Sequence, residues 1–158
     1  MSHPGRLFSA VVVFTGGSLL TVGCWSVPRQ APTPPNDWLK LEAGAFSIHA
    51  PPGWEFHKRQ GIDSYVGEFA GDDVMVRFDF GRYSNPLDKE HEPTYIVTQE
   101  VVGGYRAKIV NPRTSGHGIT GVYFRRVTGS NRLCLWGEDL TETQQELALQ
   151  IFRTIRFK

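Results

Sequence analysis

Seven consecutive residues in the middle of the chain, Val74 to Phe80, restrict the fold most. Val74, Val76, Phe78 and Phe80 alternate with Met75, Arg77 and Asp79. A period of two puts every second side chain on one face of an extended strand, whereas a helix would scatter the same set around its circumference. The preceding Gly71-Asp72-Asp73 is a hairpin signal and predicts an antiparallel partner strand over Ser64–Ala70. A strand with one apolar face needs a core on that side, so the chain is expected to build an antiparallel sheet around this pair.

The flanking sequence extends the pattern. Trp38–Leu41 and Phe46–Ala50 read as strands, followed by the turn Ala50-Pro51-Pro52-Gly53 and a third strand over Trp54–Lys58. Gly81–Pro93 is polar and broken by Asn85-Pro86 and Glu92-Pro93, which predicts a long loop, and no strong helix is legible over 82–110. Tyr95–Val102 is rich in β-formers, and Gly103-Gly104 predicts a two-residue turn into the alternating run from Tyr105. Thr120–Thr128 and Leu133–Gly137 complete the strands. The C-terminal segment changes period: Thr141-Glu142-Thr143-Gln144 is a capping box, and Leu147, Ala148, Ile151, Phe152 and Ile155 recur at helical spacing. The expected architecture is α+β: a mainly antiparallel sheet covered by a C-terminal helix over about 141–153, then a short extended tail.

The front of the chain has a different composition. Leu7–Cys24 is uncharged, follows a short segment whose only positive charge is Arg6, and has the layout of an export signal. Gly23-Cys24 resembles the end of a bacterial lipobox, although Thr21 stands where a leucine is usual. That resemblance implies cleavage before Cys24 and lipidation of its sulfur, and hence a partnership with membrane lipid through this one residue. With Trp25 rather than Asp after the cysteine, it also implies a bacterial envelope address: the periplasmic face of the outer membrane if the organism has two membranes. Two alternatives stay open. The uncharged run reaches Pro28, long enough for an uncleaved spanning anchor, and ordinary signal cleavage would release the protein. Residues 1–23 are thus read as a signal peptide, 24–37 as a tether containing Pro28, Pro32, Pro34 and Pro35, and 38–158 as one domain.

The charge balance narrows the function classes. The chain holds 17 Lys and Arg against 16 Asp and Glu. Arg6 is the sole one of either sign before Cys24, so the remainder is balanced. Nucleic-acid binding rests on a basic excess gathered on one face, and the basic runs here, His57-Lys58-Arg59 and Arg125-Arg126, are very short; no nucleic-acid partner is expected. Cys134 lies in the apolar run Leu133–Trp136 and reads as a buried, inert thiol.

Phe46, Ile48, Pro51 and Trp54 near the domain start, and Thr154, Ile155 and Phe157 at its end, form a pair of signatures. They resemble the superfamily of PsbP, the extrinsic subunit P of photosystem II, whose members open on F-x-I-x-x-P-x-x-W and close on a helix running into S-I-x-F. The resemblance implies an αβα sandwich that acts by binding or assembling a protein partner, with no cofactor and no catalytic residues.

A second functional class rests on His49, Glu55 and His57. With His49 and His57 facing each other across the Pro51–Gly53 turn, these three residues would make a metal- or ligand-binding site, or a small enzyme's site. Ser64, Ser84 and Ser115 lie outside any nucleophile-elbow motif; Ser115 and His117 share a Gly-rich loop, and Asp72-Asp73 reads as a solvated hairpin tip. The strand aromatics are expected to fill one core, and any left outside would mark a protein-binding face.

Overall fold

The computed structural model describes residues 33–158. The leader, Cys24 and most of the tether lie outside the described residues. Ten strands and one helix follow in order: β1 (Leu39–Ala43), β2 (Phe46–Ala50), β3 (Glu55–Lys58), β4 (Tyr65–Gly71), β5 (Val74–Gly81), β6 (Tyr95–Val102), β7 (Tyr105–Pro112), β8 (Ile119–Thr128), β9 (Asn131–Glu138), α1 (Glu142–Arg153) and β10 (Arg156–Phe157). Every pairing is antiparallel, as the alternation predicts. The fold is α+β, with one α-helix among the described residues.

The strands form two sheets, a seven-stranded one in the order β3-β4-β5-β9-β8-β7-β6 and a three-stranded one in the order β1-β2-β10. Local chemistry sets the turns. Asp72 and Asp73 both adopt positive φ (51° and 60°), the backbone that a tight two-residue hairpin requires. At Gly103 (φ 58°) a Cβ would lie 2.7 Å from the Ile155 carbonyl oxygen, so only glycine lets the β6–β7 turn approach the C-terminal segment this closely.

Both short elements cover the same face of the large sheet. Phe46 of β2 meets Phe69 and Phe78 edge-on at ring separations of 6.2 and 5.1 Å. Gly67 opens the space for this: a Cβ there would sit 2.6 Å from the Phe78 ring. Farther along, α1 packs on β8 and β9 and against β2, burying Ala148, Ile151 and Phe152. Thr141 caps the helix as the sequence predicts, accepting from the Gln144 N–H while the Gln144 side chain accepts from the Thr141 N–H.

The aromatics divide between two cores rather than filling one. The main core lies between the large sheet and its cover of β2 and α1. A second cluster, Leu87, Val110, Tyr123 and Cys134, with Tyr95, Val97, Ile119 and Trp136 against it, occupies the opposite face of β6–β9. There the loop after β5 lays Leu87 over the sheet. Central strands buried on both faces lose their alternation, and this is why Leu133–Trp136 is continuously apolar.

The first and last strands of the described residues share the small sheet. Arg156 and Phe157 pair with Ser47 and Phe46. Thr154, the C-cap of α1, accepts from the His49 N–H at 2.8 Å, and its hydroxyl lies 2.7 Å from the Ile151 carbonyl and 3.2 Å from that of His49. Thr154 is buried, so Thr154→Val keeps the shape and leaves these groups without partners. We expect it to destabilise the fold by about 1–3 kcal/mol in denaturant titration, lowering the melting temperature by about 5 °C or more. Thr128→Val, on an exposed hairpin, should stay within about 0.5 kcal/mol of wild type.

Candidate functional site

The residues proposed from sequence for a metal do not come together. His49 lies on β2 of the small sheet and His57 on β3 of the large one, and these strands do not pair. No group of three or more His, Cys, Asp or Glu side chains is placed to hold a metal among the described residues. The Pro51–Gly53 turn changes sheets instead of closing a hairpin, and so separates the two imidazoles. His49 is half-buried, and desolvation, followed by the positive charges of Arg156 and Lys40, holds its pKa below the ordinary imidazole value. Glu55 and His57 do share a face of β3, with Nε2 and Oε2 3.7 Å apart on the surface.

The other chemically reactive groups have structural surroundings. Cys134 is fully buried in the second core, and desolvation, with the nearby charges of Asp79 and Glu90, pushes its thiol pKa up. Ser84 is buried, and its hydroxyl accepts from the Gly81 N–H at 3.1 Å. Asp72 and Asp73 form an exposed hairpin tip, as expected.

The strongest surface feature is an edge of the large sheet. Its two edge strands differ. β3 is short and carries Glu55, His57 and Lys58, features that discourage further strand pairing. β6 has eight residues, Tyr-Ile-Val-Thr-Gln-Glu-Val-Val, without Lys or Pro, and among the described residues it pairs on one side only, with β7. Ile96 and Val101 on this strand are 45% and 62% exposed. Glu100 is held by Arg153 of α1 through contacts at 3.0 and 2.9 Å, which fixes the strand against the helix. Between β6 and α1 lies a cleft of about 350 Å³ lined by Ile96, Asn111, Arg113, Gln145 and Leu149 among others. The edge supplies a row of backbone donors and acceptors, and the cleft supplies a mainly polar pocket beside it with Ile96, Pro112 and Leu149 as its apolar part; together they can accept an extended segment as an added strand.

A composition signal for this edge is present in the sequence. Tyr95–Val102 is rich in β-formers and lacks the Lys and Pro that blunt an edge. Its place at the end of the sheet, however, follows from strand order, which the sequence does not state. No family model, curated protein or solved structure matches the chain.

On the outer face of β4, Glu68 is buried and ion-paired with the exposed Arg59. The hydrogen bond from Arg59, with lesser help from the charges of Arg59, Arg77 and His57, holds the Glu68 carboxyl below its ordinary value against the opposing effect of burial. A carboxyl depressed by folding contributes stability above its unfolded pKa and loses it as the pH falls through the folded value. Between about pH 7 and about pH 2, wild-type stability should therefore fall more steeply than that of Glu68→Gln. Parallel curves in acid denaturation would show that the pair contributes nothing.

Proposed function

We propose that this chain is a bacterial envelope lipoprotein, anchored through Cys24, whose PsbP-like domain binds or helps assemble a protein partner at a membrane surface. In an organism with two membranes, the anchor places it on the periplasmic face of the outer membrane. The observation that carries the partner reading is the β6 edge: an eight-residue strand, paired on one side only among the described residues, with exposed Ile96 and Val101 and no Lys or Pro to discourage strand addition. The PsbP-like assignment is supported by the meeting of the two signature segments, since Phe46 pairs with Phe157 and Thr154 hydrogen-bonds His49. The anchor reading rests on the sequence of Leu7–Cys24.

Photocrosslinking in cells from a reactive residue placed at Gln99 should give a discrete adduct with another protein, and the same residue at Met75, exposed near the β4–β5 hairpin, should not. Val101→Lys introduces an edge charge at an exposed site. It should abolish the adduct while leaving thermal stability within about 0.5 kcal/mol. Equal crosslinking from both positions, or an adduct indifferent to Val101→Lys, would refute docking at β6. Lipidation is tested separately: labelled palmitate should enter the wild type and not Cys24→Ser, and equal incorporation would rule out the anchor.

A further inference from the structure

Two groups of arginines contrast, and Arg106 and Arg156 belong to neither. Arg59, Arg77, Arg113 and Arg153 each face a carboxylate, from Glu68, Glu138, Glu92 and Glu100 respectively. Arg82, Arg125, Arg126 and Arg132 are in no ion pair among the described residues, yet they converge with Ser130 around one cleft of about 180 Å³. Like charges gathered without a counter-charge repel one another, so their convergence requires a structural cause.

Two local devices bring them together. The first is a shift of register between β8 and β9. Phe124 pairs with Leu133 and Thr128 with Asn131, so the segment Arg125–Val127 stands opposite the single residue Arg132. Such a bulge re-aims side chains. Here Val127 returns to the main core, and both Arg125 and Arg126 are released to the surface beside Arg132. The second device is the Ser84 hydroxyl. It accepts from the Gly81 N–H and lies 2.9, 3.2 and 3.3 Å from the carbonyl oxygens of Asp79, Gly81 and Arg132, tying the turn after β5 to β9. Gly81 pairs with Arg132 in the ladder, and Arg82 is thereby held at the same sheet end. Asp88, near Tyr123 on the same side of the sheet, is engaged by Lys108 at 3.4 Å and is in no ion pair with the four arginines.

We propose that Arg82, Arg125, Arg126 and Arg132 form a binding site for a phosphoryl group. One guanidinium saturates a carboxylate through a bidentate pair; a tetrahedral oxyanion with several charged oxygens uses donors from several guanidiniums at once. The cleft, at about 180 Å³, has room for more than a single water. The site is built on β5, β9 and β8, strands apart from β6, so it is independent of the partner edge. Free phosphate and a phospholipid headgroup offer the same chemistry.

The test uses the full chain in non-ionic detergent, with the arginine Nε–Hε signals followed by NMR. Potassium phosphate should give a saturable shift of the four arginines, whereas potassium chloride at equal ionic strength should not. Arg125→Gln and Arg132→Gln should each weaken phosphate binding about tenfold or more, while Lys40→Gln, on an exposed strand of the separate small sheet, should leave it unchanged. Vesicles distinguish the source. A preference for phosphatidate over phosphatidylcholine vesicles, lost in Arg132→Gln, assigns a lipid headgroup, and saturable phosphate binding without that preference assigns the free anion. A phosphate response equal to that of chloride, or one weakened equally by Lys40→Gln, overturns the site. Should Arg132→Gln unfold, Arg125→Gln and Arg126→Gln on the exposed bulge carry the same test.

Discussion

Everything in this fold depends on closure of the small sheet by the chain's last residues. Arg156–Phe157 add to β2, and Thr154 bonds both backbone groups of His49, 105 residues away in sequence. Bringing such distant segments together costs loop-closure entropy, which rises only slowly with length. The return comes from burial. With the clasp formed, Phe46 and Ile48 on β2 and Ile151, Phe152 and Ile155 at the end of α1 are fully buried in the same core. The clasp ties the end of α1 to β2, so that both covers pack on the one core.

The clasp also explains how the two covers divide one sheet face. The small sheet lies over β3–β5 through the Phe46–Phe69–Phe78 contacts, and α1 lies over β8 and β9. The opposite face is covered over β6–β9 by Leu87 and its neighbours. Over β3–β5 it remains a polar surface of Glu68, Arg77 and their partners. Two features are left at the margins of this arrangement: the unpaired β6 edge, and the arginine cleft where the β8–β9 register slips.

Short-range structure was legible because its causes are short-range. The alternation of Val74–Phe80, the Asp72-Asp73 and Gly103-Gly104 turns and the Thr141–Gln144 cap each depend on neighbours a few residues apart, and each appears where the residues place it. The metal reading of His49 and His57 rested on an assumption about pairing. Alternation shows that both segments are strands and is silent on whether they share a sheet; here the turn between them passes from one sheet to the other. The expectation of a single aromatic core omitted the loop after β5, because nothing local marks Leu87 as the cover of a second one.

By itself, the sequence determined the strand and helix segments, their turns, the α+β class and the burial of Cys134, since these follow from periodicity, backbone preference and side-chain transfer to an apolar interior. Only the tertiary structure decided strand order, and strand order decides which strand is left at the edge. It also decided that Arg82 and Arg132, far apart in the chain, meet Arg125 and Arg126 in one cleft. A dipeptide of arginines reads as an ordinary solvated pair until a register shift and a buried serine bring two more charges beside it. Long-range convergence of this kind is fixed by the closure of ladders between distant segments, which no local window of the chain contains.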